Sequence, residues 1–273
     1  MAALVAIALL AVGVTQARQH WPGDVRSGTA AAHGAQIERY TVRSRFVKRT
    51  LPQVVAIPRG ARADDKRPLL VFLHGRGGDG EESNANGAFF EALDGLGARA
   101  PVVVFPNGGE SSYFHERADG DWARYVVDEV IPRAIKRTGA DPERVAIGGV
   151  SMGGFGAYNL ARLHPRRFCA VGGHSAALWQ SGGESAEGAF DDSEDFDRHD
   201  LVALARERGA RAWGSARLWL DGGSADPFRS AGEAFAGALG ITMRHWEGEH
   251  EGDYWRAHFG DYLRFYAAAL AEC

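Results

Sequence analysis

Along most of the chain, short and almost wholly apolar runs alternate with longer stretches whose apolar residues recur at helical spacing. The runs are "PLLVFLH" from Pro68, "PVVVFPN" from Pro101, "RVAIGGV" from Arg144, "CAVGGH" from Cys169, "ARLWLD" from Ala216 and "ITMRHWE" from Ile241. Apolar runs of this length read as strands buried on both faces. The stretches between them predict helices over Phe89 to Leu96, Asp121 to Thr138, Met152 to Leu163 and Tyr254 to Leu270. In the second of these, Trp122, Tyr125, Val126, Val130 and Ala134 share one face. Upstream, "IERYTVRS" from Ile37 and "VVAIP" from Val54 predict two strands joined by a turn. Strand and helix in regular alternation predict an α/β fold with a mostly parallel central sheet and helices on both faces. In such a sheet the working residues gather at the carboxyl ends of the strands.

The amino terminus departs from this pattern. From Ala2 to Val14 there is no polar side chain, a run too short to span a bilayer and of the length of a signal-peptide core. Thr15-Gln16-Ala17 follows as a small-x-small cleavage site, so residues 1–17 read as a signal peptide and the chain as secreted or periplasmic. A buried N-terminal helix is the other reading, since no Lys or Arg precedes the run. In an oxidising compartment Cys169 and Cys273, the two cysteines, could pair; two unpaired thiols is the alternative.

At 273 residues, with no repeat or low-complexity linker, residues 18–273 read as one catalytic domain. The net charge is −4 and the basic residues are scattered, which leaves no nucleic-acid footprint. A small-molecule partner is the expectation, with no stable membrane span and nothing to set the oligomeric state.

Chemistry enters at "GGVSMGGFGA", Gly148 to Ala157. Ser151 stands alone at the turn between a predicted strand and a predicted helix, inside Gly149-x-Ser151-x-Gly153, the pattern of a nucleophile elbow in its strand-turn-helix context. A strand turning at once into a helix strains the serine backbone, and a Cβ at position 149 or 153 would meet the crossing segment. Gly154 and Gly156 are expected to let the helix press against the sheet. A phosphate-binding loop needs Lys and then Ser or Thr after its last glycine, whereas Phe155 follows Gly154.

A second glycine cluster, "HGRGGDG", contains Gly75-x-Gly77-x-x-Gly80, a formal match to the dinucleotide fingerprint. The next strand should then end in an acid for a ribose hydroxyl, but it ends in "FPNGG". The better reading is an oxyanion loop, with the backbone N–H groups of Arg76 and Met152 as donors. No cofactor is expected.

A serine hydroxyl needs a base, and in hydrolases with this elbow the chain order is Ser, acid, His. Asp226, in the loop "GGSADPF", is favoured over Asp221 at the strand end, because a loop residue can reach an imidazole. His250, in the loop "GEHEGD", is favoured over His245 in a strand and His258 in a helix. The cluster "HWEGEHE" fits neither H-E-x-x-H nor H-x-x-E-H, so no metal site is expected there.

Taken together, "LLVFLHGRGGDGEE", "DEVIPRAIKR", "RVAIGGVSMGGFGAYNLA", "LDGGSADPF" and "HEGDYWRAHFGDYLRFYAAAL" resemble the esterase family of α/β-hydrolases that includes esterase D, feruloyl esterases and secreted mycolyltransferases. The resemblance runs from about Pro68 to Leu270. It implies an α/β-hydrolase fold and a carboxylic ester hydrolase with Ser151 as nucleophile, Asp226 as orienting acid and His250 as general base. It also implies a small-molecule or glycan-linked ester as substrate, and some members transfer the acyl group to an alcohol.

Specificity is expected in the segment from Trp179 to Arg211, which is acidic, carries Trp179, Phe190 and Phe196, and reads as a lid or pocket wall over the strand ends rather than a core element. A solvated surface loop is its other reading. Tyr113, Phe114 and His115 would line the site from the loop after Asn107, or cap the sheet edge. Two further classes share these residues. A serine peptidase would use the same triad, and a non-catalytic binding module would be expected to have lost Ser151 or His250, both of which are present.

Overall fold

The computed structural model describes residues 29–78 and 84–273, so the expected signal peptide at 1–17 and Gly80 lie outside the described residues. Among the described residues the main sheet has nine strands: β1 (Thr29–Ala32), β2 (Ala35–Arg43), β3 (Thr50–Ile57), β4 (Leu69–Leu73), β5 (Val102–Pro106), β6 (Val145–Val150), β7 (Ala170–His174), β8 (Arg217–Gly223) and β9 (Arg244–Trp246). Their spatial order is β1-β2-β3-β5-β4-β6-β7-β8-β9. The first three strands pair antiparallel, β3 pairs antiparallel with β5, and every pair from β5 to β9 is parallel. The expected mostly parallel sheet is therefore present, extended at one edge by an antiparallel meander. The last expected strand shortens to Arg244–Trp246, an edge strand paired only with β8.

Alternate residues of each central strand feed two cores. Leu69, Val71, Leu73, Val145 and Ile147 face one, while Leu70, Phe72, Ala146 and Val150 face the other. Helix α1 (Gly87–Asp94) and the long C-terminal helix, residues 252–271, cover the second face. Helix α2 covers the first, running through Trp122–Arg124, a π segment Tyr125–Val130 and Ile131–Thr138. All five residues expected on its buried face are buried. The π turn has a physical reason in Pro132, which lacks an N–H and would crowd the preceding turn; the Ile131 N–H reaches back to Val126 instead. Helix α3 (Met152–Leu163) lies on the same face, beneath the elbow.

The segment from Trp179 corrects an expectation. It holds α4 (Ser193–His199) and α5 (Leu201–Arg208), and Trp179, Ala189, Phe196, Leu201, Val202 and Ala205 join the core. Part of its acidity is helix capping: the Asp192 and Asp200 carboxylates accept from the N–H groups of Asp195 and Ala203. Helix α6 (Arg229–Leu239), rich in Ala and Gly, was not evident from periodicity. The C-terminal helix is α7 (Gly252–Ala271). Cys169 and Cys273 form a disulfide with Cα atoms 5.9 Å apart, joining the start of β7 to the chain end.

Candidate active site

Every group of the site hangs from the carboxyl end of a parallel strand. Ser151 follows β6 at φ 53° and ψ −118°, a left-handed backbone that an L-residue adopts only under constraint. The constraint is close packing: a Cβ on Gly149 would lie 2.5 Å from the Leu73 carbonyl oxygen, and one on Gly153 would lie 2.3 Å from it. The two glycines of the elbow thus let α3 cross β4 in contact. Gly154 presses on Ala176 of the loop after β7, while Gly156 faces Phe114 rather than the sheet, which corrects its expected role.

The three expected triad residues meet. His250 Nε2 lies 2.8 Å from Ser151 Oγ, and His250 Nδ1 lies 3.2 Å from Asp226 Oδ2. With the imidazole protonated on Nδ1, that nitrogen donates to Asp226 and Nε2 accepts from the serine hydroxyl. Burial pushes the Asp226 pKa up, but the hydrogen bond and charge of His250 and the Phe228 N–H, which donates at 2.8 Å, outweigh it and hold the carboxyl below its ordinary value. Ser151 is 9% exposed and Asp226 6%, so the site is largely shielded from water.

Asp221, the rejected acid, serves another purpose. It is fully buried, and its carboxylate accepts from His174 Nδ1 and Trp219 Nε1 at 2.6 Å each, Tyr262 at 2.9 Å and Tyr254 at 3.1 Å. Tyr266 donates to His174 Nε2 at 2.8 Å, and its hydroxyl occupies space that a Cβ on Gly148 or Gly172 would fill. This buried cluster lies directly behind Ser151, because the Ser151 N–H donates to the His174 carbonyl at 3.0 Å. His245 and His258 stand away from the triad: His245 faces Glu233, and His258 stacks on Trp246.

Gly75 packs against Ser151, since a Cβ placed on it would touch Ser151 Cβ at 3.5 Å. The Gly108 N–H donates to His74 Nε2 at 2.8 Å, which leaves His74 Nδ1 as the donor to the Gly75 carbonyl at 2.8 Å. The Gly75 carbonyl and the Arg76 N–H share one peptide plane and point in opposite directions. Fixing the carbonyl therefore fixes the direction of the N–H. The Met152 N–H belongs to the first turn of α3, whose leading N–H groups have no intrahelical acceptor.

Around this centre stands an aromatic wall. Trp179 packs on Tyr113 at 5.6 Å between ring centroids, on Phe190 at 5.6 Å and on Phe228 at 5.7 Å; Phe228 in turn packs on His250 at 4.9 Å. Trp255 approaches the other side of His250 at 5.2 Å. Phe228 and Trp255 carry no sequence signal beyond their nearness to Asp226 and His250. The Tyr113 pKa is pushed up by burial, opposed by the charge and hydrogen bond of the neighbouring Arg76 guanidinium. His115 was expected to line the site, yet it is fully buried behind Phe190, with both ring nitrogens facing backbone carbonyls. It supports the wall from behind.

Comparison with known proteins adds the following. The family described as "Putative esterase" matches residues 44–266. A relative named putative esterase NocK, from Nocardia uniformis subsp. tsuyamanensis, is 35% identical over 130 residues, 44% of this chain and 34% of the relative. An S-formylglutathione hydrolase of Paracoccus denitrificans is 26% identical over 182 residues, 60% of this chain and 64% of the relative. The matched part thus spans about a third to under two thirds of these relatives. Among solved structures, a ferulic acid esterase has a TM-score of 0.74 at 22% identity, covering 86% of this chain and 98% of that one. An S-formylglutathione hydrolase from Agrobacterium tumefaciens has a TM-score of 0.71 at 20% identity, covering 89% and 98%. These likenesses establish the α/β-hydrolase fold.

Proposed function

The chain belongs to the family described as "Putative esterase", and on that premise we propose that it hydrolyses carboxylic esters through an acyl-enzyme on Ser151. The observation that carries the reading is the continuous hydrogen-bonded line from Ser151 Oγ through His250 to Asp226, at 2.8 and 3.2 Å. Ser151 Oγ attacks the ester carbonyl while His250 Nε2 takes its proton. The imidazolium so formed is stabilised by the ionised Asp226. Negative charge on the former carbonyl oxygen is met by the N–H groups of Arg76 and Met152, the latter backed by the positive end of α3. The tetrahedral intermediate collapses, His250 returns its proton to the departing alcohol oxygen, and water, deprotonated by the same imidazole, releases the acid.

The substrate proposed is a small-molecule or glycan-linked ester whose acyl group packs against the wall formed by Trp179, Tyr113 and Phe228. The ferulic acid esterase and S-formylglutathione hydrolases among the similar proteins support an ester or thioester as the substrate class. Transfer of the acyl group to an alcohol differs only in the last step. We place this activity in one catalytic domain over residues 18–273, with 179–211 as the pocket wall, and in a secreted or periplasmic setting. Among the described residues no helix is long and apolar enough to cross a membrane.

The test is turnover of p-nitrophenyl esters of increasing acyl length by the wild type and by Ser151→Ala. The expected result is a preferred chain length for the wild type and a fall of about 10⁴-fold or more for the variant. Equal turnover by the two proteins contradicts the reading.

A further inference from the structure

Behind the aromatic wall lies a second group of chemistry-bearing side chains that ester hydrolysis does not use. His115, Asp195 and His199 are all buried, and their ligand-type atoms lie within 4.8 Å of one another. His115 comes from the loop after β5 and the other two from α4, so the group joins two segments far apart in sequence. His115 Nδ1 is 3.7 Å from Asp195 Oδ1, His199 Nδ1 is 3.0 Å from the same oxygen, and the two imidazole centroids are 4.4 Å apart.

The hydrogen-bond inventory of His115 does not close. Its Nδ1 faces the Glu116 carbonyl oxygen at 2.9 Å and its Nε2 faces the Ala189 carbonyl oxygen at 3.0 Å. A neutral imidazole has one N–H. Whichever tautomer is present, one nitrogen lone pair is left pointing at a carbonyl oxygen. Two carbonyl oxygens and the Asp195 carboxylate thus converge on an imidazole that can donate to only one of them. A group that takes up the remaining lone pair and attracts the carbonyl oxygen beside it would reconcile these atoms.

A metal cation would. With Nε2–H donating to Ala189, the arrangement is that of a metal-bound histidine whose other ring nitrogen is held by a backbone carbonyl. The ligand atoms of His115, Asp195 and His199 lie within 4.8 Å of one another, with the Glu116 oxygen 2.9 Å from His115 Nδ1. The separations of 2.9, 3.7 and 3.0 Å along this set compare with about 3.3 Å between neighbouring ligands of a tetrahedral zinc, given bonds of roughly 2.0–2.1 Å. Two imidazoles, a carboxylate and a carbonyl oxygen suit a borderline ion rather than calcium or magnesium.

The geometry points to a binding site for one divalent transition-metal ion of the zinc type, held by His115, Asp195 and His199 with the Glu116 carbonyl, which clamps the Tyr113 loop to the wall segment. His199 Nδ1 also faces the Asp195 carbonyl at 2.8 Å, a hydrogen bond that binding would exchange for the metal. Arg198 donates to Asp195 Oδ1 at 3.2 Å from a side chain that is 61% exposed, so it can swing aside on the face where the ion enters. The Asp191 N–H holds the other oxygen, Oδ2, at 2.9 Å and orients the carboxylate.

The test strips the full-length protein with chelator and titrates it with Zn²⁺ and Co²⁺, reading metal per chain by mass spectrometry after dialysis, the visible spectrum of the cobalt form, and Tm. The expected result is one ion per chain, the intense visible bands of tetrahedral cobalt, and a Tm raised by about 5–10 °C at a metal concentration one hundredfold above Kd. His199→Gln, at the edge of the cluster, and His115→Gln/His199→Gln should lose the bound ion and the Tm response, with folding checked by circular dichroism; if the double variant does not fold, His199→Gln alone decides. His250→Ala should keep both responses. Failure of the wild type to bind stoichiometrically, or binding undiminished in His199→Gln, overturns the proposal.

Discussion

Asp221 and Asp226 are buried carboxylates that each face a histidine, and removing them one at a time should produce opposite failures. Asp221→Ala strips the acceptor from four buried donors: His174 Nδ1, Trp219 Nε1 and the hydroxyls of Tyr254 and Tyr262. An orphaned buried donor costs about 1–3 kcal/mol, so four cost about 4 kcal/mol even at the low end, against a total stability of about 5–15 kcal/mol. The variant should melt on the order of 10 °C or more below the wild type. Asp226→Ala removes one partner of a histidine whose side chain is already 20% exposed to water, together with the Phe228 N–H acceptor. Its Tm should fall by a few degrees at most. Its kcat, however, should fall by about 10⁴-fold, because the imidazole loses both its orientation and its counter-charge. The assay pairs differential scanning calorimetry with p-nitrophenyl ester turnover on both variants. An Asp221→Ala protein that melts like the wild type refutes the reasoning, as does an Asp226→Ala protein that retains a tenth of wild-type kcat.

Other expectations concern the elbow, the oxyanion loop, the pH profile and the disulfide. Gly153→Ala places a methyl 2.3 Å from the Leu73 carbonyl oxygen, backbone that cannot yield, and should cost about 3 kcal/mol, read as a Tm loss of about 6–12 °C. His74→Ala frees the Gly75–Arg76 peptide and should lower kcat by roughly 10- to 100-fold with KM nearly unchanged, less than the 100- to 1000-fold of a deleted donor; a pure KM effect would assign His74 to substrate binding instead. Because the folded Asp226 pKa lies below its ordinary value, its stabilising contribution is present above the unfolded pKa and is lost only as pH falls through the folded one. Asp226 therefore stays ionised from neutrality down to the ordinary carboxylate range, and its protonation should add no step to the pH profile of kcat/KM above that range; a step there that Asp226→Asn removes would contradict this. Reduction of the Cys169–Cys273 disulfide, which closes a separation of 104 residues, should lower stability by about 2–5 kcal/mol in a thermal melt while leaving ester turnover at 25 °C intact.

The meeting of Ser151, Asp226 and His250 was legible because each is marked locally. Ser151 sits in a glycine pattern that only a strand-turn-helix crossing demands, and Asp226 and His250 follow strands in loops, where reach is available. The two-core sheet was legible because its strands are apolar on both faces. What escaped depends on contacts between distant segments. Asp221 and His174 are 47 positions apart, and His115 and Ala189 are 74 apart; no local pattern announces either meeting. The helices α4 and α5 were masked by acidic residues that act in part as caps, and α6 by alanine and glycine, whose small side chains leave a weak hydrophobic period. The π turn of α2 follows from Pro132, which the helical period over Asp121 to Thr138 does not register.

The central claim, that Ser151 is a nucleophile activated by His250, is tested most directly by covalent capture. The protein is incubated with a fluorophosphonate, digested and mapped by mass spectrometry, beside Ser151→Ala and His250→Ala. The account predicts one adduct per chain on Ser151, absent in Ser151→Ala and formed at least 100-fold more slowly in His250→Ala. A folded wild-type protein that takes up no label, or takes it up on another residue, contradicts the claim.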